Sequence, residues 1–371
     1  MHYFIFPDKD TTLYEASSSI NAGMDEILEI RKDVNDAATI KRVSRALLKF
    51  DLNHISQSVS DGKIPKPNLT GSRYFLNLFD AHPTSLAMSQ SLYAYPVSQS
   101  WNVGDGKLHD DPVTTEGTSW IYKDGKTDGT LWYSPMSSSG ATWHSGSGYE
   151  ASQSLNNETR DIRMDVTDIV NTWFAGTVPN EGFIVKRSGS VGNTDSGSDE
   201  GSSDRLGNLA FFSRDTHTKY PPTLEVVWDD STWTTSLSEL TGSALEDVVI
   251  YMKGLRPKYN EKSKVRFRLV GRERFPTKTY STTPSNLTVK YLPSGSTFYS
   301  IRDAETDDVI VPFGSGSKVS CDGSGNYFNV WLDGYQPERY YRLLFRFISG
   351  SGTVHEIDQI FDEGHSFKVS R

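Results

Sequence analysis

Short apolar runs closed by turn formers recur along the whole chain, and their period of two limits it to strand-built architectures. In Ser44-Arg45-Ala46-Leu47-Leu48-Lys49-Phe50-Asp51, residues Ala46, Leu48 and Phe50 share one face of an extended chain, while Leu47 and Lys49 take the other. The first three are assigned to the core. Similar runs at 13–15, 27–31, 74–79, 91–96, 118–122, 209–213 and 223–228 read as strands of one sandwich. A different pattern begins at 248–252 and continues through 265–270, 287–291, 298–303, 309–312, 327–332 and 340–348. These runs suffice for a second sandwich.

The helical period appears clearly in one place. Val166, Ile169, Val170 and Trp173 recur at helical spacing, which predicts a short amphipathic helix over 166–174. Asp165 stands where an N-cap acceptor is wanted and Gly176 where a left-handed residue ends a helix. Asn180-Glu181-Gly182 then turns the chain into an inner strand led by Phe183. A capped helix laid on a sandwich is a packing device, not a reactive site.

Composition agrees with many short strands. Hydrophobic residues make up 36% and aromatics 12%, with 30 glycines. At 371 residues the chain exceeds one core, so we expect a domain at 1–230, a polar connector at 231–246 and a second domain at 247–371. Residues 188–207 are almost entirely Gly, Ser, Asp and Asn, and read as a long exposed loop. The formal charge of −9 disfavours general nucleic-acid binding. Cys321, the single cysteine, excludes an internal disulfide and suits a reducing cytoplasm. The start lacks the features of an export signal, and every hydrophobic run is too short for a membrane span, so no membrane partner is expected.

The succession Asp10-Thr11-Thr12-Leu13-Tyr14-Glu15, the strand at 45–51, Trp101-Asn102-Val103-Gly104, Thr118-Ser119-Trp120, the stretch 165–186 and the closing 220–228 resembles the DNRLRE-type β-sandwich module of surface and carbohydrate-associated proteins. The resemblance covers roughly residues 1–230. Leu255-Arg256-Pro257-Lys258-Tyr259-Asn260 and Tyr335-Gln336-Pro337-Glu338-Arg339-Tyr340-Tyr341-Arg342 look like segments of tail, neck or baseplate structural proteins of large tailed phages. Together these readings lead us to expect an all-β chain: an N-terminal jelly-roll-like β-sandwich followed by a C-terminal Ig-like β-sandwich. Carbohydrate-associated members of that module family normally carry an export signal and a catalytic or anchoring domain, neither of which is read in this sequence, so sugar binding is the lesser expectation.

Two sets of candidate site residues follow. Trp101, Trp120, Trp132 and Trp143, with Tyr133 and Tyr149, could stack on sugar rings. The same residues could instead fill a core poor in aliphatics. The sharper feature is a run of cations in an acidic chain: Arg256, Lys258, Lys262, Lys264, Arg266, Arg268, Arg272 and Arg274, opposed only by Glu261 and Glu273. Arg266 and Arg268 alternate with Val265, Phe267 and Leu269, which makes one strand a positive stripe suited to an acidic protein neighbour or to a solvated face that discourages edge pairing.

No HExxH, G-x-S-x-G or phosphate-cradling motif occurs, and no catalytic residue or cofactor is assigned. A structural Ca²⁺ would have to use Asp105, Asp110 and Asp111, or Asp195, Asp199 and Glu200, which lack an EF-hand spacing. The resulting expectation is a non-enzymatic virion protein made in the host cytoplasm. It would form a symmetric ring and contact other virion proteins in a phage tail, neck or baseplate, or as a capsid decoration. The alternative is a carbohydrate-binding module used on a host glycan in adsorption, and a polysaccharide hydrolase comes third.

Overall fold

The structure of the protein, a computed structural model, describes residues 1–35, 41–67, 71–82, 89–125, 129–132, 139–156, 161–190, 197–234, 240, 248–275, 280, 291–293, 295–349 and 357–371. It divides into a unit of Phe4–Val226 and a unit of Val227–Arg371 that includes Met1–Tyr3. The connector expected at 231–246 falls largely outside the described residues.

The N-terminal strands are β1 (His2–Ile5), β2 (Lys9–Tyr14), β3 (Ile27–Val34), β4 (Lys41–Lys49), β5 (Arg73–Leu78), β6 (Gln90–Pro96), β7 (Tyr122–Asp124), β8 (Thr130–Leu131), β9 (Ala151–Leu155), β10 (Ile162–Asp165), β11 (Phe183–Lys186), β12 (Gly207–Phe212) and β13 (Thr223–Val227). They form a four-stranded sheet in the order β1-β13-β5-β10 and a seven-stranded one in the order β12-β3-β4-β11-β6-β9, with β2 also on β4. Lettering β1, β4, β5, β6, β9, β10, β11 and β13 as B to I turns these orders into B-I-D-G and C-H-E-F, a jelly roll with β2, β3 and β12 added at one side. Ala46, Leu48 and Phe50 are fully buried, as their alternation predicts.

Helix α2 (Thr167–Phe174) begins one residue later than its apolar spacing suggests. The Asp165 carboxylate accepts from the Thr167 amide at 3.1 Å, and Gly176 takes φ +69 beyond the last turn. Eight residues cannot hold a helix in water by propensity alone. Burial of Ile169, Val170 and Trp173 does so here, with the Trp173 ring 4.7 Å from that of Phe183 on β11. A second helix, α1 (Leu52–Ser60), is not among the elements expected, although Leu52, Ile55 and Val59 recur at helical spacing. Its start is set by Asp51, whose side chain accepts from the Asn53 amide at 2.8 Å.

The strand expected at 118–122 does not form. Thr118, Ser119 and Trp120 are buried in a turn, where the Ser119 amide donates to the Tyr122 carbonyl. The cause is Asn21, fully buried, whose Nδ2 donates to the carbonyls of Val103 and Thr118 at 2.7 and 2.8 Å while its Oδ1 accepts from the amides of Gly106 and Gly23. Loops 103–118 gather so tightly around it that a Cβ on Gly117, at φ +94, would stand 2.4 Å from the Gly104 Cα. A backbone that bonds to one central amide side chain has no ladder to offer a neighbouring strand.

The C-terminal unit contains β14 (Val248–Lys253), β15 (Lys258–Asn260), β16 (Lys264–Glu273), β17 (Thr297–Asp303), β18 (Val309–Val311), β19 (Ser320–Asp322), β20 (Gly325–Trp331), β21 (Tyr340–Ser349), β22 (Ile357–Phe361) and β23 (Ser366–Ser370). One sheet runs β14-β16-β20-β19, and the other β15-β23-β21-β17-β18, with β22 on β21. In Ig lettering these are A-B-E-D and A′-G-F-C-C′, and β15 runs parallel to β23. Phe267 and Phe328 stack at 5.3 Å between the sheets, and Tyr299 lies 4.2 Å from Phe328. The strand expected at 287–291 lies outside the described residues except for Tyr291. Among the described residues, no helix is long and apolar enough to cross a membrane.

Asp10, on β2, is buried and accepts from the Arg214 amide at 2.7 Å. Burial pushes its carboxyl up to about 7. A raised carboxyl costs nothing while both folded and unfolded states hold the proton, and the cost grows as pH rises from about 4 to about 7. Urea denaturation of Asp10→Asn, which keeps an acceptor for Arg214, should therefore show less stability lost across that interval than the parent. An identical pH profile would refute this.

Candidate functional site

The two faces of β4 lead to different chemistry. Ala46 and Leu48 point into the sandwich, while Val43, Arg45 and Leu47 point the other way. Register carries that second face across the sheet, since Leu47 pairs with Ile184 on β11 and Ile184 with Tyr95 on β6. Lys186, two residues beyond Ile184, falls on the same face. Trp101, Trp120 and Trp132 cover it, packed with Leu13, Leu47 and Ile184.

Three of the four tryptophans assigned to sugar stacking are therefore core. Trp101 and Trp120 are 4% exposed and Trp132 is fully buried. Indole N–H groups placed this way need acceptors, and they have them: Trp101 Nε1 donates to the Glu181 carbonyl and Trp132 Nε1 to the Ser119 carbonyl, both at 2.9 Å. Tyr133 lies outside the described residues. Tyr149 stands beside the His144 ring at 5.9 Å.

Beneath this aromatic cover lies a cluster of charge without solvent contact. Arg45 donates from Nε and Nη2 to the two carboxylate oxygens of Glu200 at 3.1 and 2.6 Å. Lys186 Nζ lies 3.2 Å from the same carboxylate, and all three side chains are fully buried. Their remaining protons go to backbone carbonyls: Arg45 to Gly140 and Ser190, Lys186 to Arg187 and Gly189. Trp120 and Trp143 lie 4.7 and 5.1 Å from the Arg45 guanidinium, and Lys186 is 4.9 Å from Trp143, so indole faces complete the solvation of both cations.

These contacts correct the exposed-loop reading of 188–207 at 188–190 and 198–202, while Ser203, Asp204 and Arg205 are exposed as expected and 191–196 lie outside the described residues. A stretch of Gly, Ser, Asp and Asn has little apolar surface to bury, but it has carbonyls, and buried cations need them. Lys32 bonds the Ser202 carbonyl at 3.0 Å, and Arg187 bonds those of Leu206 and Gly207. Glu200 is thus unavailable as a Ca²⁺ ligand, and Asp195 lies outside the described residues. Asp110 accepts from the Lys107 amide at 2.7 Å. Among the described residues, no group of three or more His, Cys, Asp or Glu side chains is placed to hold a metal ion.

Above the buried charges opens a cleft of about 590 Å³, walled by Tyr95 and Trp143 and edged by Ser145, Ser188, Ser190 and Ser198. The rings of Tyr95 and Trp143 are 6.1 Å apart, and Tyr93 stacks on Tyr95 at 6.4 Å. Trp143 alone of the four candidate tryptophans borders open space. Sequence reading missed Tyr93 and Tyr95. Their spacing of two on a strand was the available signal, since it puts both rings on one face.

The cationic run is divided between the two sheets of the C-terminal unit. Lys264, Arg266, Arg268 and Arg272 share the outer face of β16, while Val265, Phe267 and Leu269 are buried. Arg256 and Lys258 lie before and in β15, on the other sheet, and Arg274 follows the end of β16. Arg268 is already engaged, donating from both terminal nitrogens to Asp322 at 3.0 and 2.8 Å. That fork holds the Asp322 carboxyl down at about 2. Arg266 is held more loosely: its side chain is 50% exposed, lies 3.9 Å from the same Asp322 carboxylate, bonds Asn329 and lies 4.3 Å over the Tyr327 ring.

No family model matches the chain, and no curated protein matches it.

The buried cluster predicts a large penalty for breaking it. Glu200→Gln leaves two buried cations facing a neutral amide and should cost about 3–5 kcal/mol in urea unfolding of the full chain. A loss below about 1 kcal/mol would mean that the loop carbonyls satisfy the cations by themselves.

Proposed function

We propose that the chain is a structural protein that works by binding other proteins, and that its setting is the tail, neck or baseplate of a tailed-phage particle. The observation that carries this reading is the outer face of the β14-β16-β20-β19 sheet. Among the described residues of those strands, Lys253, Lys264, Arg266, Arg268 and Arg272 face a single carboxylate, Asp322, and are interspersed with Tyr251, Tyr327 and Trp331. Arginine on aromatic faces, with exposed Tyr251 beside it, is the composition of surfaces that bind protein. An arginine fork gives such a surface its preference for carboxylates.

The particle setting rests on the resemblance of the Arg256 and Tyr335 segments to phage structural proteins. Mass spectrometry of particles purified from the organism encoding the chain should find it co-sedimenting with them at a fixed ratio to the other structural subunits. Recovery only in the unsedimented fraction would refute this setting.

The cleft favours a second reading, in which the N-terminal unit binds a glycan. Ring faces at Tyr95 and Trp143 suit the apolar faces of sugars, and the serine hydroxyls at its edge suit their hydroxyl groups. On a glycan array the full chain should retain defined oligosaccharides, and Trp143→Ala should weaken retention about tenfold. Its melting temperature serves as control, because Trp143 also covers Lys186. Equal retention by both proteins would remove the cleft from consideration.

A further inference from the structure

Charge is distributed unevenly along the chain. Residues 1–230 hold 20 Lys and Arg against 31 Asp and Glu, whereas residues 231–371 hold 18 against 16. Folding leaves the contrast nearly unchanged, since Lys32, Arg45, Lys186 and Arg187 are fully buried but so are the carboxylates of Asp10, Glu200 and Glu225.

That acidity has a focus in the loops gathered by Asn21. Asp105, Asp111, Glu116 and Asp124 are exposed there against Lys107 and His109, and the exposed apolar residues Met24 (40%) and Val113 (50%) lie among them. The four bonds of Asn21 hold this plateau in one shape, and the Met24 amide is tied to the Gly106 carbonyl at 3.0 Å. A surface fixed before binding loses little conformational entropy when it binds.

We propose that the cationic outer face of the C-terminal β14-β16-β20-β19 sheet receives the acidic plateau of a second copy of this chain. The proposal rests on the assembly reading above and names its partner. The two surfaces have one plan with opposite signs. Tyr251, 44% exposed, pairs with Val270 and so lies beside Lys253, Arg268 and Arg272, as Met24 and Val113 lie beside carboxylates. Because different surfaces meet, the contact is head-to-tail, and repetition gives a closed ring or an open filament. Arg268 contributes little, being held by Asp322. Lys253, Lys264, Arg266 and Arg272 supply the attraction.

Sedimentation velocity of the full chain tests this. The parent should associate at low ionic strength, and raising salt from about 0.05 to about 0.5 M should weaken association at least tenfold. Arg266→Ser/Arg272→Ser and Asp111→Asn/Glu116→Gln should each be monomeric with unchanged melting temperatures. Mixed together they should give a one-to-one dimer and nothing larger, because one intact face then meets one intact plateau. A monomeric parent overturns the proposal, as does association unaffected by either variant. If only the arginine variant dissociates, the face is an interface but the plateau is not its partner. Particle membership is read separately by mass spectrometry, so a monomeric parent found in particles would sink the self-contact and spare the assembly reading.

Discussion

Glu200 stands between Arg45 and Lys186 with no access to water, and the shape of the N-terminal unit's outer surface depends on that contact. A buried pair of cations around one carboxylate is costly unless every remaining donor finds an acceptor. Gly189 and Ser190, in the glycine- and serine-rich stretch after Arg187, supply acceptors as backbone carbonyls. Trp143 then lies over Lys186, and the Tyr95–Trp143 cleft takes form above it. The cleft is thus a consequence of how charge is buried beneath it.

Asn21 plays the corresponding part among the loops at 103–118. One neutral side chain satisfies two carbonyls and two amides, which lets polar backbone pack without a ladder. The result is a firm surface carrying exposed carboxylates. In the C-terminal unit the sheet itself is the organiser: period-two alternation along β16 sends Val265, Phe267 and Leu269 inward and the cations outward. Opposite surface characters in the two units arise from different devices.

Much of the architecture was legible. The β4 alternation identified Ala46, Leu48 and Phe50 as core, and the helical spacing at 166–173 identified α2 to within one residue, because local periodicity reflects which face is buried. The candidate sites were less so. Trp101, Trp120 and Trp132 look like Trp143 in sequence, yet only Trp143 borders a cleft, since exposure depends on what loops from elsewhere cover. Arg268 reads like Arg266 until Asp322, 54 residues away, is brought beside it. Glu200 sits among glycines and serines, where a solvated loop is the ordinary reading.

The sequence by itself determined an all-β chain of alternating strands, with one short amphipathic helix expected at 166–174 and a positive stripe on one C-terminal strand. Those properties are local, set by side-chain period and turn chemistry within a few residues. The tertiary structure alone decided which aromatics are core, which arginine forks onto Asp322 and which carbonyls at 188–190 and 202 meet buried cations. Each of those outcomes depends on partners far apart in the chain, 155 residues in the case of Arg45 and Glu200, and no local period records them.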